Sequence, residues 1–387
     1  MKYDPVGNDA PPTNGSFHRA IEGNILNSHG ERKHSLSARR TSAWDVARRS
    51  SRKPTTFGTT TGAPFLLPLM SSFQHCYSFD PSYGHNLESL RQILPPPESD
   101  DFAPFWTNRY QKAVEIEPRV ELIGGGRTQP GFELNDIVYT STDGYRIGGW
   151  LLTPTKAPVR RALLIGHGYG GRDGPDTNFP VADAAYLFPC FRGLSRSRRE
   201  GISDNPAYHV LHDIDKPPHY LIGGCVEDVW VGISALLRMF PEAEGHIGYQ
   251  GTSLAGGIGA MAIGWDRRIQ RGALNVPTFG YQALRLNLPT TGSGDAVARF
   301  HRQQGNVMDT LRYYDAALAA RHIRVPIHVA AALFDPVVAP PSQFAVYNAL
   351  AGPKDLFVLD GGHFDYSDRP AQERLLFEDL QRFFQDL

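Results

Sequence analysis

The chain has 387 residues, 41% of them hydrophobic and 20% charged, with a net charge of −1. That balance supplies no global field for nucleic acid or an anionic membrane, and no apolar run approaches the roughly 20 residues a membrane helix needs. Its three cysteines, Cys76, Cys190 and Cys225, are widely spaced and odd in number, which excludes a disulfide framework. With no signal-peptide pattern at the N-terminus, they predict a cytoplasmic protein.

Residues 1–69 read differently from the rest. They hold Pro11-Pro12, the polar stretch His34–Arg40 and the run Thr59–Gly62, and their apolar residues follow no helical or alternating period. Such a segment cannot bury enough surface to offset its ordering entropy, so a disordered extension is expected, with Met70 a candidate start of a shorter product. Its Arg and Ser content suggests a transit peptide, but Asp4, Asp9, Glu22, Glu31 and Asp45 argue against one. Residues 70–387 are expected to form the catalytic domain.

In chain order, Asn86–Ile93 reads as a short helix stopped by Pro95–Pro97, and Phe102–Ala113 as another. Phe132–Tyr139 and Tyr145–Leu152 read as a hairpin about Asp143-Gly144. Strands are expected at Arg161–Ile165, Ala185–Phe188, Ile247–Gln250, Gly272–Val276, Ile327–Leu333 and Leu356–Leu359. Between them fall helices at Gly224–Met239, Ile258–Trp265 and Ser342–Leu350, a polar helical insertion running to Ala320, and a terminal helix at Ala371–Phe384. Alternation of this kind predicts an α/β fold: a mostly parallel sheet, helices on both faces, and a small helical insertion between strands.

The sharpest motif is Gly251-Thr252-Ser253-Leu254-Ala255, where an apolar strand meets an apolar helix. A serine on so tight a turn is a nucleophile elbow, and the positions two before and two after it must be small. The alternative is an ordinary helix cap. A serine hydroxyl needs an adjacent base, itself oriented by an acid. Asp335 follows one downstream strand and His363 the next, in the Ser, Asp, His order of α/β hydrolases. Singly, Asp335 reads equally as a cap and His363 as a turn residue; jointly they read as a catalytic triad. The oxyanion hole is assigned to the backbone N–H of Leu254 and of Tyr169, the latter in the glycine loop His167–Gly171 after strand 161–165.

Other clusters carry less. His209, His212, Asp213 and Asp215 have no partner at a recognised metal spacing and read as a polar loop over the site. Gly124–Gly126 lacks the setting of a phosphate loop. Cys225 reads as core. No metal and no cofactor is expected.

Over residues 78–387 the chain resembles the acetylxylan esterase and cephalosporin C deacetylase family of α/β hydrolases. The family's H-G-Y-G-G loop stands at 167–171, its R-G-Q at Arg192-Gly193-Leu194, and its G-x-S-Q-G-G at Gly251–Gly256. Leu311–Pro326 and Asp335–Leu350 resemble the family around the acid-bearing strand. The resemblance implies removal of acetyl groups from sugars and antibiotics, and assembly into a homo-oligomer. Three family polar residues are replaced by Leu194, Leu254 and Phe364. Around a site, such replacements would favour acetyl esters of simple alcohols and phenols over acetylated xylo-oligosaccharides, unless these side chains point into packing.

The resulting reading is a cofactor-independent serine esterase that deacetylates small acetylated compounds. Its partners are a small-molecule ester and further copies of itself, with neither nucleic acid nor membrane. The alternatives are a hydrolase of a lactone or peptide, or a catalytically silent scaffold that binds other molecules.

Overall fold

The computed structural model describes residues 73–305 and 307–387, so the reading of residues 1–69 as disordered lies outside the described residues. Residues 77–387 belong to one compact unit.

A one-turn helix at Leu87–Leu90, shorter than the expected 86–93, is capped by Asn86, whose side chain accepts from the Ser89 N–H. Helix α1 (Phe102–Val114) follows. Strands β1 (Glu121–Gln129), β2 (Phe132–Thr140) and β3 (Arg146–Pro154) form an antiparallel meander. Asp143 turns the second corner with φ 54°, in the left-handed region that Asp tolerates better than most residues.

The remaining strands are β4 (Ala162–Ile165), β5 (Ala185–Pro189), β6 (Ile247–Thr252), β7 (Ile269–Asn275), β8 (Ile327–Ala332) and β9 (Lys354–Leu359). They complete one nine-stranded sheet in the order β1-β2-β3-β5-β4-β6-β7-β8-β9, parallel from β5 onward. β4, β5 and β8 are buried along their whole length, which is why they read as continuous apolar runs rather than alternating ones.

After β4 the chain first adds β5 on one side and then returns to add β6 on the other. The loops after β4 and β6 therefore diverge at a crevice at the carboxyl edge, the place where open α/β sheets bind ligands.

Helices α2 (Leu221–Met239), α3 (Leu254–Ile263), α4 (Ser293–Gln304), α5 (Ala316–Ala320) and α6 (Pro340–Ala349) precede the terminal helix α7 (Arg369–Gln385). Core side chains of α2, α3, α5 and α6 form one large apolar cluster with Trp106 of α1, Leu164 and Tyr249. A smaller cluster on the opposite face joins Leu163, Tyr186 and Phe188 to Leu380, Phe383 and Phe384 of α7. The sheet is thus covered on both faces, as alternating elements require. Among the described residues, no helix is long and apolar enough to cross a membrane.

Candidate active site

Ser253 sits between β6 and α3 with φ 58° and ψ −111°, a conformation strained for any residue with a Cβ. Its neighbours hold it there. The Ser253 N–H donates to the Asn275 carbonyl (2.8 Å), and its own carbonyl accepts from Gly257 (3.1 Å) and Thr278 (3.2 Å). Across the elbow, the Tyr249 hydroxyl donates to the Ala255 carbonyl (2.7 Å).

The turn is crowded, and the crowding explains its small residues. A Cβ on Gly251 would collide with the Ala255 carbonyl. Alanine at 255 fits because Gly166, at the end of β4, presents no side chain: a Cβ there would stand 2.6 Å from the Ala255 methyl.

The Ser253 hydroxyl makes no capping bond to α3, so the ordinary-cap reading does not describe it. It lies instead 2.9 Å from Nε2 of His363, and Nδ1 of His363 lies 2.8 Å from Oδ2 of Asp335. A carboxylate only accepts, so Nδ1 carries the ring proton and Nε2 accepts from the serine. Asp335 is fully buried, whereas 17% of the His363 side chain is exposed, so solvent reaches the imidazole and not the carboxylate behind it.

Asp335 also shapes the turn after β8, although it does not cap the following helix, which starts at Pro340 after Ala339. Its Oδ1 accepts from the N–H of Val337 (2.9 Å) and Val338 (3.0 Å). Sequence reasoning missed the side chain that completes this arrangement. Gln343, fully buried on α6, donates from Nε2 to Asp335 Oδ2 (2.9 Å) and to the Val338 carbonyl (2.6 Å), and accepts from the Ala332 N–H (2.9 Å). It ties the acid to the end of β8. No motif marks it, because its distance from Asp335 in sequence closes only when the 336–339 turn folds α6 back.

The loop after β4 runs beside Ser253: a Cβ on Gly168 would stand 3.7 Å from that of Ser253. His167 fixes the loop, donating from Nδ1 to the Gly168 carbonyl (2.7 Å) and accepting at Nε2 from the Phe191 N–H (3.0 Å). Neither the Tyr169 nor the Leu254 amide donates to a carbonyl in the described turns, loops and caps.

Behind the loop lies a buried ionic network. Arg192 donates to Asp228 from Nη2 (2.6 Å) and from its backbone N–H (3.0 Å), and Nη2 also reaches Thr142 (2.9 Å). Burial works against its charge, but Asp228 and Glu227 hold its pKa above the ordinary value. The Arg192 carbonyl accepts from Nε2 of His209 (3.0 Å), whose ring meets that of Tyr169 edge-on at 5.5 Å.

His209 is therefore no surface loop residue, as the sequence reading had it. It is fully buried, and burial pushes its pKa down to about 4. Asp213 pairs with Lys216 (2.6 Å) and Asp215 is exposed. Among the described residues, no cluster of three metal-ligating side chains occurs.

Of the three replaced family residues, two take the packing alternative. Leu254 is fully buried and Leu194 is 2% exposed, both in the main core, so they do not line the site. Phe364, half-buried, packs edge-on against Phe334 at 4.8 Å.

A strand-to-helix serine at the carboxyl edge of a mostly parallel sheet, bonded to a histidine and a buried aspartate from later loops, defines an α/β hydrolase. The family model described as Acetyl xylan esterase (AXE1) matches residues 85–380. An acetyl esterase of Xylanibacter ruminicola is 22% identical over 314 residues, covering 76% of this chain and 70% of that protein. An acetyl xylan esterase from a Paenibacillus species superposes with a TM-score of 0.69 at 23% identity, covering 77% of this chain and 100% of that one. Acetyl xylan esterase 1 of a Thermoanaerobacterium species gives 0.66 at 20%, covering 78% and 99%. The chain belongs to the acetyl xylan esterase family and is a carboxylic ester hydrolase.

Proposed function

We propose that the chain removes acetyl groups from small acetylated compounds by a serine mechanism, with Ser253, His363 and Asp335 as its triad. The observation that carries this reading is the unbroken hydrogen-bond chain from the Ser253 hydroxyl through His363 to buried Asp335.

In the first half-reaction Ser253 Oγ attacks the ester carbonyl while Nε2 of His363 takes its proton. The tetrahedral oxyanion is held by the Tyr169 and Leu254 N–H groups. It collapses as Nε2 returns the proton to the leaving alcohol, which leaves an acetyl-serine. In the second, water attacks the acetyl-serine, Nε2 takes the water's proton, and the same proton passes to Ser253 Oγ as acetate departs. Asp335 holds the imidazole in the required tautomer throughout.

A fluorophosphonate probe tests the nucleophile: wild type is labelled and Ser253→Ala is not. Hydrolysis of p-nitrophenyl esters of graded acyl length tests the acyl group, with acetate expected to exceed octanoate. A lack of labelling, or a strong octanoate preference, overturns the corresponding half of the reading. Because Leu194 and Leu254 are core residues, the expected bias against acetylated xylo-oligosaccharides rests on Phe364 alone, and comparing such a substrate with phenyl acetate measures it.

Two further parts of the reading are a homo-oligomer and a cytoplasmic residence, the latter in keeping with the free cysteines at 76, 190 and 225. Light scattering on the purified chain and fractionation of the producing cell check them.

A further inference from the structure

The segment that leaves β7 is strained. Val276, Phe279 and Tyr281 have φ of 41°, 67° and 54°, and Val276 is β-branched, for which a positive φ is an outlier. This segment touches the elbow, since the Thr278 N–H donates to the Ser253 carbonyl (3.2 Å). It opens the helical insertion, whose other end of contact is the acid loop: the Thr291 N–H donates to the carbonyl of Pro336, next to Asp335 (2.8 Å). The insertion is therefore anchored beside Ser253 at Thr278 and beside Asp335 at Thr291.

Inside that span lies Arg285, 6% exposed. Its guanidinium rests over the Phe279 ring (5.3 Å to the centroid) and donates to Gln282 Oε1 (3.2 Å), a neutral partner. Among the described residues no carboxylate comes within ion-pair distance of it. Asp315 is the acid it senses, but the Asp315 oxygens are taken by the N–H groups of Tyr281, Gln282, Ala317 and Leu318. Burial accordingly lowers the Arg285 pKa from its ordinary value, and the Tyr169 and Tyr220 hydroxyls oppose that shift. The Tyr169 hydroxyl, in the loop beside Ser253, is itself buried with no hydrogen-bond partner.

A buried charge without a counter-ion is costly, and the cost is recovered when an anion of matching shape arrives. A guanidinium pairs with a carboxylate through two parallel hydrogen bonds. We propose that Arg285, with the Tyr169 hydroxyl as a second donor, forms a subsite for a carboxylate carried by the ester substrate. The enzyme then favours acetyl esters of hydroxy acids over neutral esters of the same shape. This rests on the serine-esterase reading above, since it names the substrate class of that site.

The test compares 4-acetoxybenzoate with 4-acetoxybenzamide, which differ in charge but scarcely in shape. Wild type is expected to show a kcat/KM at least about tenfold higher for the acid, and the ratio to fall to about one in Arg285→Gln. Tyr169→Phe, which keeps the backbone N–H, should lower the ratio by a smaller factor. Calorimetry on Ser253→Ala should show tighter binding of the acid than of the amide.

A wild type that favours the amide, or a ratio unchanged in Arg285→Gln, overturns the subsite. If Arg285→Gln fails to fold, the wild-type ratio and the Ser253→Ala calorimetry decide. Selective binding of the acid without hydrolysis of either ester would instead sink the esterase reading and leave the subsite standing. Equal hydrolysis of both would sink the subsite alone.

Discussion

Gly362 makes room for Asp335: a methyl group on Gly362 would fall inside contact distance of the Asp335 oxygen that faces His363. The Ala332 side chain closes the space on the other side, 3.1 Å from the same methyl position. The residue before the histidine thus sets how closely histidine and acid approach.

Gly362→Ala should accordingly displace either Asp335 or the His363 loop. Overpacking of this kind costs about 1–3 kcal/mol of stability. The larger effect is expected in kcat, which should fall more than about tenfold with KM little changed, because orientation of the base is lost and substrate contacts are not. Steady-state kinetics and a thermal melt on the same preparation check both parts.

Asp335→Asn should fold and yet lose about four orders of magnitude in kcat, since an amide can present the wrong hydrogen-bonding group to Nδ1. Gln343→Leu is a finer probe. It strips the Ala332 N–H and one Asp335 oxygen of partners, and an unsatisfied buried group costs about 1–3 kcal/mol. A fall in kcat well short of that in Asp335→Asn is expected. A Gln343→Leu enzyme with wild-type kcat would show that Asp335 keeps its place without the amide.

His209 gives the fold an acid-sensitive point. Its pKa drops from 6.5 in the unfolded chain to about 4 when folded, with burial the main cause. Between those values the unfolded state takes up a proton and the folded state does not, so stability is lost as pH falls through this window, by up to about 3 kcal/mol. His209→Gln removes the titrating group. Urea denaturation should show the variant losing less stability than wild type between about pH 7 and about pH 4.5. Equal losses would exclude His209 as a source of acid sensitivity.

Arg192 and Asp228 form the best-buried ion pair behind the site, with side chains 3% and 0% exposed. Removing one partner strands a charge, so Arg192→Met should cost about 3–5 kcal/mol, while Arg192→Met with Asp228→Leu should recover much of it. Chemical denaturation of the three proteins provides the cycle.

Strands β4, β5 and β8 were legible because each is buried along its whole length and reads as a nearly continuous apolar run. Ser253, Asp335 and His363 were legible because their order along the chain is a topological requirement. Strand β1 was not: Gly124–Gly126 offers no side chains to alternate, and its register with β2 shifts between Ile123 and Arg127. Helix α3 begins at Leu254, four residues earlier than expected, since Gly256 and Gly257 are poor helix formers that hide its first turn. Gln343 and Arg285 are single polar residues in stretches with no motif. Only tertiary burial distinguishes them, and burial of one polar residue leaves no period in a sequence.

The elbow's alanine also has an evolutionary reading. Because the Ala255 methyl occupies the space that Gly166 leaves vacant, alanine at 255 requires glycine at 166. Gly166→Ala should be disfavoured, and Ala255→Gly would relieve only part of the crowding, because Phe191 Cζ (3.0 Å) and the Tyr249 hydroxyl (3.1 Å) also face that position. The order in which such substitutions accumulate is therefore constrained, and a glycine at 166 makes the family's second elbow glycine dispensable.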